Sequence, residues 1–266
     1  MDENITREHG VEWQASGAVG RIVLDRPERA NALDLDTGLA LARAIHAVVD
    51  ATPRVIVVAA RGPIFCAGGD IKSFEAAGDA FESVILDPLQ VLLPAYHRLA
   101  EAPCPVISVV NGPVGGAGIG LALLGDFVLA STSLKLRTGY AAIGLAPDVG
   151  ASWFLARRIG AVRALQWFMT SDAISAEQCL AAGAVDALHA PEALHDAADS
   201  LVRRLLAAAP ASLAAMKRLC QGVHARTLDE HLTLEAQLLA ECARTADARE
   251  GVGAFIEKRV PSFTGS

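Results

Sequence analysis

Short runs of consecutive apolar residues recur through the first half of the chain, each closed by a turn signal. Residues 20–24 precede Asp25-Arg26-Pro27, residues 55–60 precede Arg61-Gly62, residues 106–110 precede Asn111-Gly112, and residues 127–130 precede Ser131. Runs rich in Val and Ile, without polar alternation, predict strands buried on both faces. Between the first two runs, Leu35, Leu39, Ala42, Ile45 and Val49 repeat at helical spacing and predict an amphipathic helix. Strands alternating with helices indicate an α/β core.

After about Ala151 the strand pattern fades. Ser175-Ala176-Glu177-Gln178 has the form of a capping box, and Gly183 suits the end of that helix. Pro191 precedes a further helical stretch to about Ala208, where Pro210 is expected to break it, and residues 211–258 continue in helical pattern. The expected organisation is an α/β core followed by a helical tail. Residues 106–125 are uncharged and long enough to cross a bilayer. Asn111, Pro113 and the glycine-dense run inside them fit a strand, a tight loop and a buried helix start better, so no membrane partner is expected.

Composition narrows the function. With 266 residues, 52% of them hydrophobic and 20% charged, the chain can bury a large core and is not a disordered sequence. A formal net charge of -7 argues against nucleic acid as a partner, but leaves room for a phosphorylated small molecule held by a few local cations. Cys66, Cys104, Cys179, Cys220 and Cys242 form no C-x-x-C pair, which suits a reducing compartment and gives no disulfide framework or zinc knuckle. The start, MDENITREHG, is polar and acidic rather than a targeting segment, and a cytoplasmic location is expected. The histidines show no metal-ligand spacing, so no metal is expected.

Three segments offer chemistry. Phe65-Cys66-Ala67-Gly68-Gly69-Asp70-Ile71-Lys72 follows a strand; its paired glycines let backbone approach a ligand, and Asp70 can cap a helix beginning near Ile71. Asn111-Gly112-Pro113-Val114-Gly115-Gly116-Ala117-Gly118-Ile119-Gly120-Leu121 also runs from a strand to a helix start. It fails as a dinucleotide fingerprint, because Leu121 stands where the third glycine is required, and it lacks the P-loop lysine. Ile143-Gly144-Leu145-Ala146-Pro147-Asp148-Val149-Gly150 carries a lone aspartate after proline, which is ordinarily a turn or cap residue. Cys66 has no histidine near it in sequence and reads as a small buried residue, while Gly150-Ala151-Ser152-Trp153-Phe154 lacks the last glycine of a nucleophile elbow.

In this order the three segments resemble the crotonase, or enoyl-CoA hydratase/isomerase, family. The likeness extends from Asp25-Arg26-Pro27 and Asn31-Ala32-Leu33 through Gly183-Ala184-Val185-Asp186 to Phe255-Ile256-Glu257-Lys258-Arg259. It implies a ββα spiral core over residues 1–195, a C-terminal helical region over 196–266 that builds trimers or hexamers, and a coenzyme A thioester as substrate with no separate cofactor. Carried over by position, the N–H groups of Gly69 and Ala117 form an oxyanion hole. Ala30 and Ala67 match backbone contacts to the adenine end, and Lys258 matches a tail lysine that reaches a neighbouring subunit's CoA. Arg29 and Lys72 are further cationic candidates, and Gly68, Asp70 and Gly116 complete the expected binding surface.

The departures bear on activity. Hydratases of this family use two glutamates, and here Gly120 and Tyr140 stand at those positions. Asp148 matches an aspartate used by some isomerases and by the dehalogenase branch. The reading is therefore an enoyl-CoA isomerase with Asp148 as proton shuttle, and Tyr140 as a pocket wall whose hydroxyl can donate a hydrogen bond. The alternatives are a hydratase, an Asp-nucleophile acyl-CoA hydrolase or dehalogenase, and a non-catalytic acyl-CoA-binding subunit.

Overall fold

A computed structural model describes residues 5–266; the first four residues of the polar N-terminus lie outside the described residues. The chain opens with a hairpin, β1 (Ile5–Glu8) and β2 (Val11–Gln14), that pairs antiparallel onto β3 (Val19–Leu24). α1 (Leu35–Asp50) crosses to β4 (Val55–Ala60), and α2 (Ile71–Ala76) with α3 (Phe81–Ala100) leads to β5 (Val106–Val110). β6 (Val114–Gly115) and α4 (Gly118–Leu123) precede β7 (Phe127–Ser131) and β8 (Lys135–Arg137). Then come α5 (Ala151–Ile159), α6 (Ala161–Thr170), β9 (Ala173–Ser175), α7 (Ala176–Ala182) and β10 (Ala187–His189). The last helices are α8 (Leu194–Leu206), α9 (Pro210–Gln221), α10 (Leu228–Ala243) and α11 (Ala246–Glu257).

The main sheet runs β1-β2-β3-β4-β5-β7-β10, parallel from β3 onward. A second, short sheet runs β6-β8-β9 and is lengthened by single bridges, Cys66 to Val114 and Leu33 to Gly69. Each turn of the fold thus lays one long strand in the main sheet and one short segment in the second, then adds a helix. The α/β expectation and the spiral of ββα units hold.

All six residues of β4 are buried, as an uninterrupted apolar run demands. Val55, Val57 and Ala59 face α8 through Leu194, Ala198 and Val202; Ile56, Val58 and Ala60 join the larger core with α1 and α3. The line between residues 195 and 196 therefore falls inside α8, whose apolar stripe packs on the sheet. On α1 the buried stripe is Leu41, Ala44, Ile45 and Val48, while Leu35 is exposed. Of the expected face, Ala42 and Ile45 are buried and Val49 packs against the core, and Gly38 lies against Pro88 and Leu92 of α3.

The helix starts and stops mostly follow their signals. Asp70 caps α2, Ser175 and Gln178 form the capping box of α7, and Gly183 ends it in the left-handed region. Pro210 is a correction: it opens α9 at the first turn, where the missing N–H costs nothing, rather than merely ending α8. The strand signal also persists past Ala151, in β9 and β10, each only three residues long. Helix α3 was not legible because Pro88 and Pro94 lie inside it; burial of Leu92, Ala95, Tyr96 and Leu99 against α1 and the core offsets that cost.

Asn31 anchors the loop between β3 and α1. It is buried, donates from Nδ2 to the carbonyls of Arg61 (3.0 Å) and Ile64 (2.8 Å), and accepts the Arg26 N–H at Oδ1 (2.7 Å). Its positive φ of 53° is one that Asn adopts more readily than most residues. Asn31→Ala removes three hydrogen bonds to the backbone, so chemical denaturation should show a loss of about 2–4 kcal/mol; an unchanged midpoint would mean that Asn31 does not anchor the loop.

Candidate active site

The site grows from the second sheet. The Ala67 N–H donates to the Ala30 carbonyl at 3.0 Å, which brings together the two residues expected near the adenine end. The Leu33 N–H then donates to Gly68 (2.8 Å), and the Asp70 N–H donates to Leu33 (3.0 Å). In such a parallel bridge the flanking residues make the bonds, so the Gly69 N–H turns the other way. It has no hydrogen-bond partner among the described residues.

The second donor arises in the same manner. Gly115 donates to the Cys66 carbonyl (2.9 Å) and Gly116 to Arg137 (3.3 Å), while the Ala117 N–H, at the cap of α4, is likewise unpaired. A Cβ on Gly68, whose φ is +101°, would lie 3.0 Å from the Gly115 oxygen and 3.2 Å from the Ala117 nitrogen. The two loops therefore touch backbone to backbone, with an unpaired N–H on each. Both α2 and α4 have only six residues, so these local N–H groups supply the field rather than a long helix dipole.

The cationic candidates are placed unequally. Arg29 donates to Asp70 at 2.7 Å. Burial raises the Asp70 carboxyl, but the Arg29 guanidinium and the Lys72 and Ser73 N–H groups outweigh it and hold the carboxyl below its usual range. Asp70 thus serves as a buried brace, and Arg29 is committed in part to it. Lys72 is exposed. Lys258, exposed at the end of α11 with φ +54°, makes no bond to either glycine loop within the described residues.

The Asp148 turn closes the site. The Tyr140 hydroxyl donates to Asp148 Oδ1 at 2.6 Å, so Tyr140 does more than line a wall. Burial raises the Asp148 carboxyl above its ordinary range, and the Tyr140 hydrogen bond pulls it partly back. Val149 follows with φ +37°, a costly conformation for a β-branched residue, and Gly150 caps α5 at φ +78°. The strain is held by packing. The Val149 side chain is buried, and its carbonyl oxygen sits where a Cβ on Gly120 would be, at 2.1 Å. Gly120 is a surface for that turn, and a glutamate there has no space.

Around Asp148 the other titratable groups are neutral. Burial, with the Asp148 charge adding, pushes the Cys66 thiol up to about 12, so it is not a thiolate nucleophile. Tyr96 of α3, which the sequence reading missed, is buried with its hydroxyl unpartnered; burial and nearby Cys66 and Asp148 raise it well above its usual value. A lone tyrosine on an apolar helix face carries no sequence signal that separates it from core. A cavity of about 1030 Å³ lies between α3, α5, α9 and α10 and meets the Asp148 turn at Val149 and Gly150, with Leu93, Tyr96, Trp153 and Phe154 in its wall. Among the described residues no cluster of three or more His, Cys, Asp or Glu could hold a metal, and no helix is long and apolar enough to cross a membrane.

Comparison with known proteins bears on the family and the fold. The family described as Enoyl-CoA hydratase/isomerase matches residues 14–266. The chain is 36% identical to the 1,2-epoxyphenylacetyl-CoA isomerase of Escherichia coli, covering 92% of this chain and 94% of that one. It is 35% identical to a probable enoyl-CoA hydratase of Rhodobacter capsulatus, covering 97% and 98%. The crystal structure of an enoyl-CoA hydratase from Polaromonas superposes with a TM-score of 0.88 at 29% identity, covering 96% and 99%.

Gly120→Ala tests the packing that holds the Asp148 turn. A methyl group must displace the Val149 carbonyl, so denaturation should show a loss of about 1–3 kcal/mol. Unchanged stability would mean that the turn yields freely and is not held by Gly120.

Proposed function

The chain belongs to the enoyl-CoA hydratase/isomerase family, and on that footing we propose that it shifts a carbon–carbon double bond within an acyl-CoA thioester, with Asp148 carrying the proton. The observation that carries the reading is the occupancy of the first glutamate position. The Val149 carbonyl fills the side-chain space of Gly120, and Asp148 is left as the carboxylate of the site.

In a 3-enoyl-CoA the thioester oxygen lies between the Gly69 and Ala117 N–H groups. Asp148 removes a proton from the α carbon, and the electron pair delocalises through the dienolate onto that oxygen, where the two donors stabilise it. The same carboxyl returns the proton to the γ carbon, and the double bond comes to rest in conjugation with the carbonyl. Proton and charge balance with one carboxylate, and no metal or redox cofactor enters the step. Hydration instead needs a group to hold and activate water as well as a donor to the α carbon. The name of the E. coli relative, an isomerase acting on an acyl-CoA, supports the same direction. The cavity beside Val149 offers room for a long or aromatic acyl group.

The assembly is proposed as a trimer or hexamer. Support comes from the apolar residues left exposed on α10 and α11, among them Leu228, Leu239, Ile256 and Phe255, the last 85% exposed. Light scattering should give three or six copies, and a monomer at micromolar concentration would refute it. The five free cysteines suit a reducing cytoplasm.

Turnover of 3-enoyl-CoA and 2-enoyl-CoA esters, followed by the conjugated thioester's absorbance and by mass spectrometry, tests the activity. Isomerisation should exceed hydration, and Asp148→Asn should lower it by about 10²–10⁴ with little change in acyl-CoA affinity. Full activity in that variant, or hydration without isomerisation, would overturn the reading.

A further inference from the structure

We propose that Tyr140 is the positioning residue for Asp148, holding Oδ1 in a fixed hydrogen bond so that Oδ2 alone carries the proton. This rests on the isomerase reading above. The 2.6 Å contact lies in the range of charge-assisted O–H···O bonds. Tyr140 is buried, its ring lies 6.0 Å from that of Phe168, and its carbonyl accepts the N–H groups of Ile143 and Leu145, each at 3.1 Å. The phenol is therefore rooted at both ends. Oδ2 accepts no hydrogen bond from another residue among the described residues. A carboxylate with both oxygens free presents either one; here a turn about its last bond breaks the Tyr140 contact.

Tyr140 cannot replace the missing second acid. Burial, followed by the charge and hydrogen bond of Asp148, pushes its phenol far above the ordinary range, so it keeps its proton and acts as a donor only. The other titratable groups acting with Asp148 are Tyr96 from α3 and Cys66 from the segment after β4, both held neutral, while α4 carries no titratable residue. No cation is among the groups that act on Asp148. Opposing influences then meet on the carboxyl: burial raises it, while the Tyr140 hydroxyl and, after it, the backbone N–H of Asp148 itself lower it. The base must be ionised, so turnover is present above this raised pKa and lost as pH falls through it. Removing the hydroxyl raises the carboxyl further and moves that loss to higher pH.

Tyr140→Phe should shift the acid limb of kcat/KM upward by about one pH unit. It should also lower kcat at neutral pH about tenfold, with KM changed less than about twofold. An acid limb that stays in place, whatever the fall in kcat, would overturn the proposal. A second measurement stands apart from turnover and from the folding of that variant. The chain has two tyrosines, so 3-fluorotyrosine incorporated into Tyr96→Phe labels position 140 alone. Its fluorine resonance should titrate with the acid limb, and that titration should vanish in the added Asp148→Asn background. A resonance indifferent to pH, or unaffected by Asp148→Asn, would refute the contact. Retained turnover in Asp148→Asn would instead strike the isomerase reading and leave the fluorine result to judge the contact.

Discussion

The close backbone approach of residues 66–69 to residues 114–118 is the contact on which the site depends. It requires residues without side chains at the seam. Gly68 adopts φ +101° against Gly115 and Ala117, and a Cβ on Gly118 would lie 2.7 Å from the Cys66 carbonyl. Because the chains meet at backbone distance, the bridges of the short sheet use up the neighbouring polar groups and leave the Gly69 and Ala117 N–H groups free. An unpaired N–H is ordinarily a cost in a folded protein. On the proposed reading these two groups are the oxyanion donors, and donors fixed before substrate arrives need no reorganisation when negative charge develops.

That seam could not stand on two short strands alone. The main sheet supplies the frame, with β4 and β5 buried on both faces and each delivering one glycine loop from its end. Asn31 ties the loop after β3 to the turn after β4, and Asp70, which accepts the Lys72 backbone N–H as the N-cap and pairs with Arg29, fixes the start of α2 just beyond Gly69. Buried polar side chains at these points are fully engaged, which is why they rigidify the loops rather than weaken them. Hydrophobic burial builds the frame, and directional hydrogen bonds aim it.

The Asp148 turn follows a different logic. Val149 is held in a conformation that β-branched residues avoid, and the gain that offsets it is packing of its carbonyl and side chain against α4 at Gly120. The space a side chain at position 120 would need is thus taken up by the same turn that presents Asp148. Burial then makes Asp148 a stronger base than a free carboxylate, while Tyr140 limits the effect and orients the group.

Sequence alone determined the α/β core, the four central strands, the caps at Asp70, Ser175 and Gly183, and the two glycine loops as donors. These are local matters: an unbroken apolar run, a capping side chain or a glycine that must admit close approach declares itself within a few residues. Family resemblance then placed Gly69, Ala117 and Asp148 by position. Only the tertiary structure decided the rest. β6, β8 and β9 are too short to show a period, and α3 forms over two prolines because distant residues bury its face. The Tyr140 contact, the enclosed Tyr96 hydroxyl and the filled space above Gly120 join elements far apart in the chain or depend on where a side chain points. No spacing encodes such contacts, because they arise where separately folded loops meet.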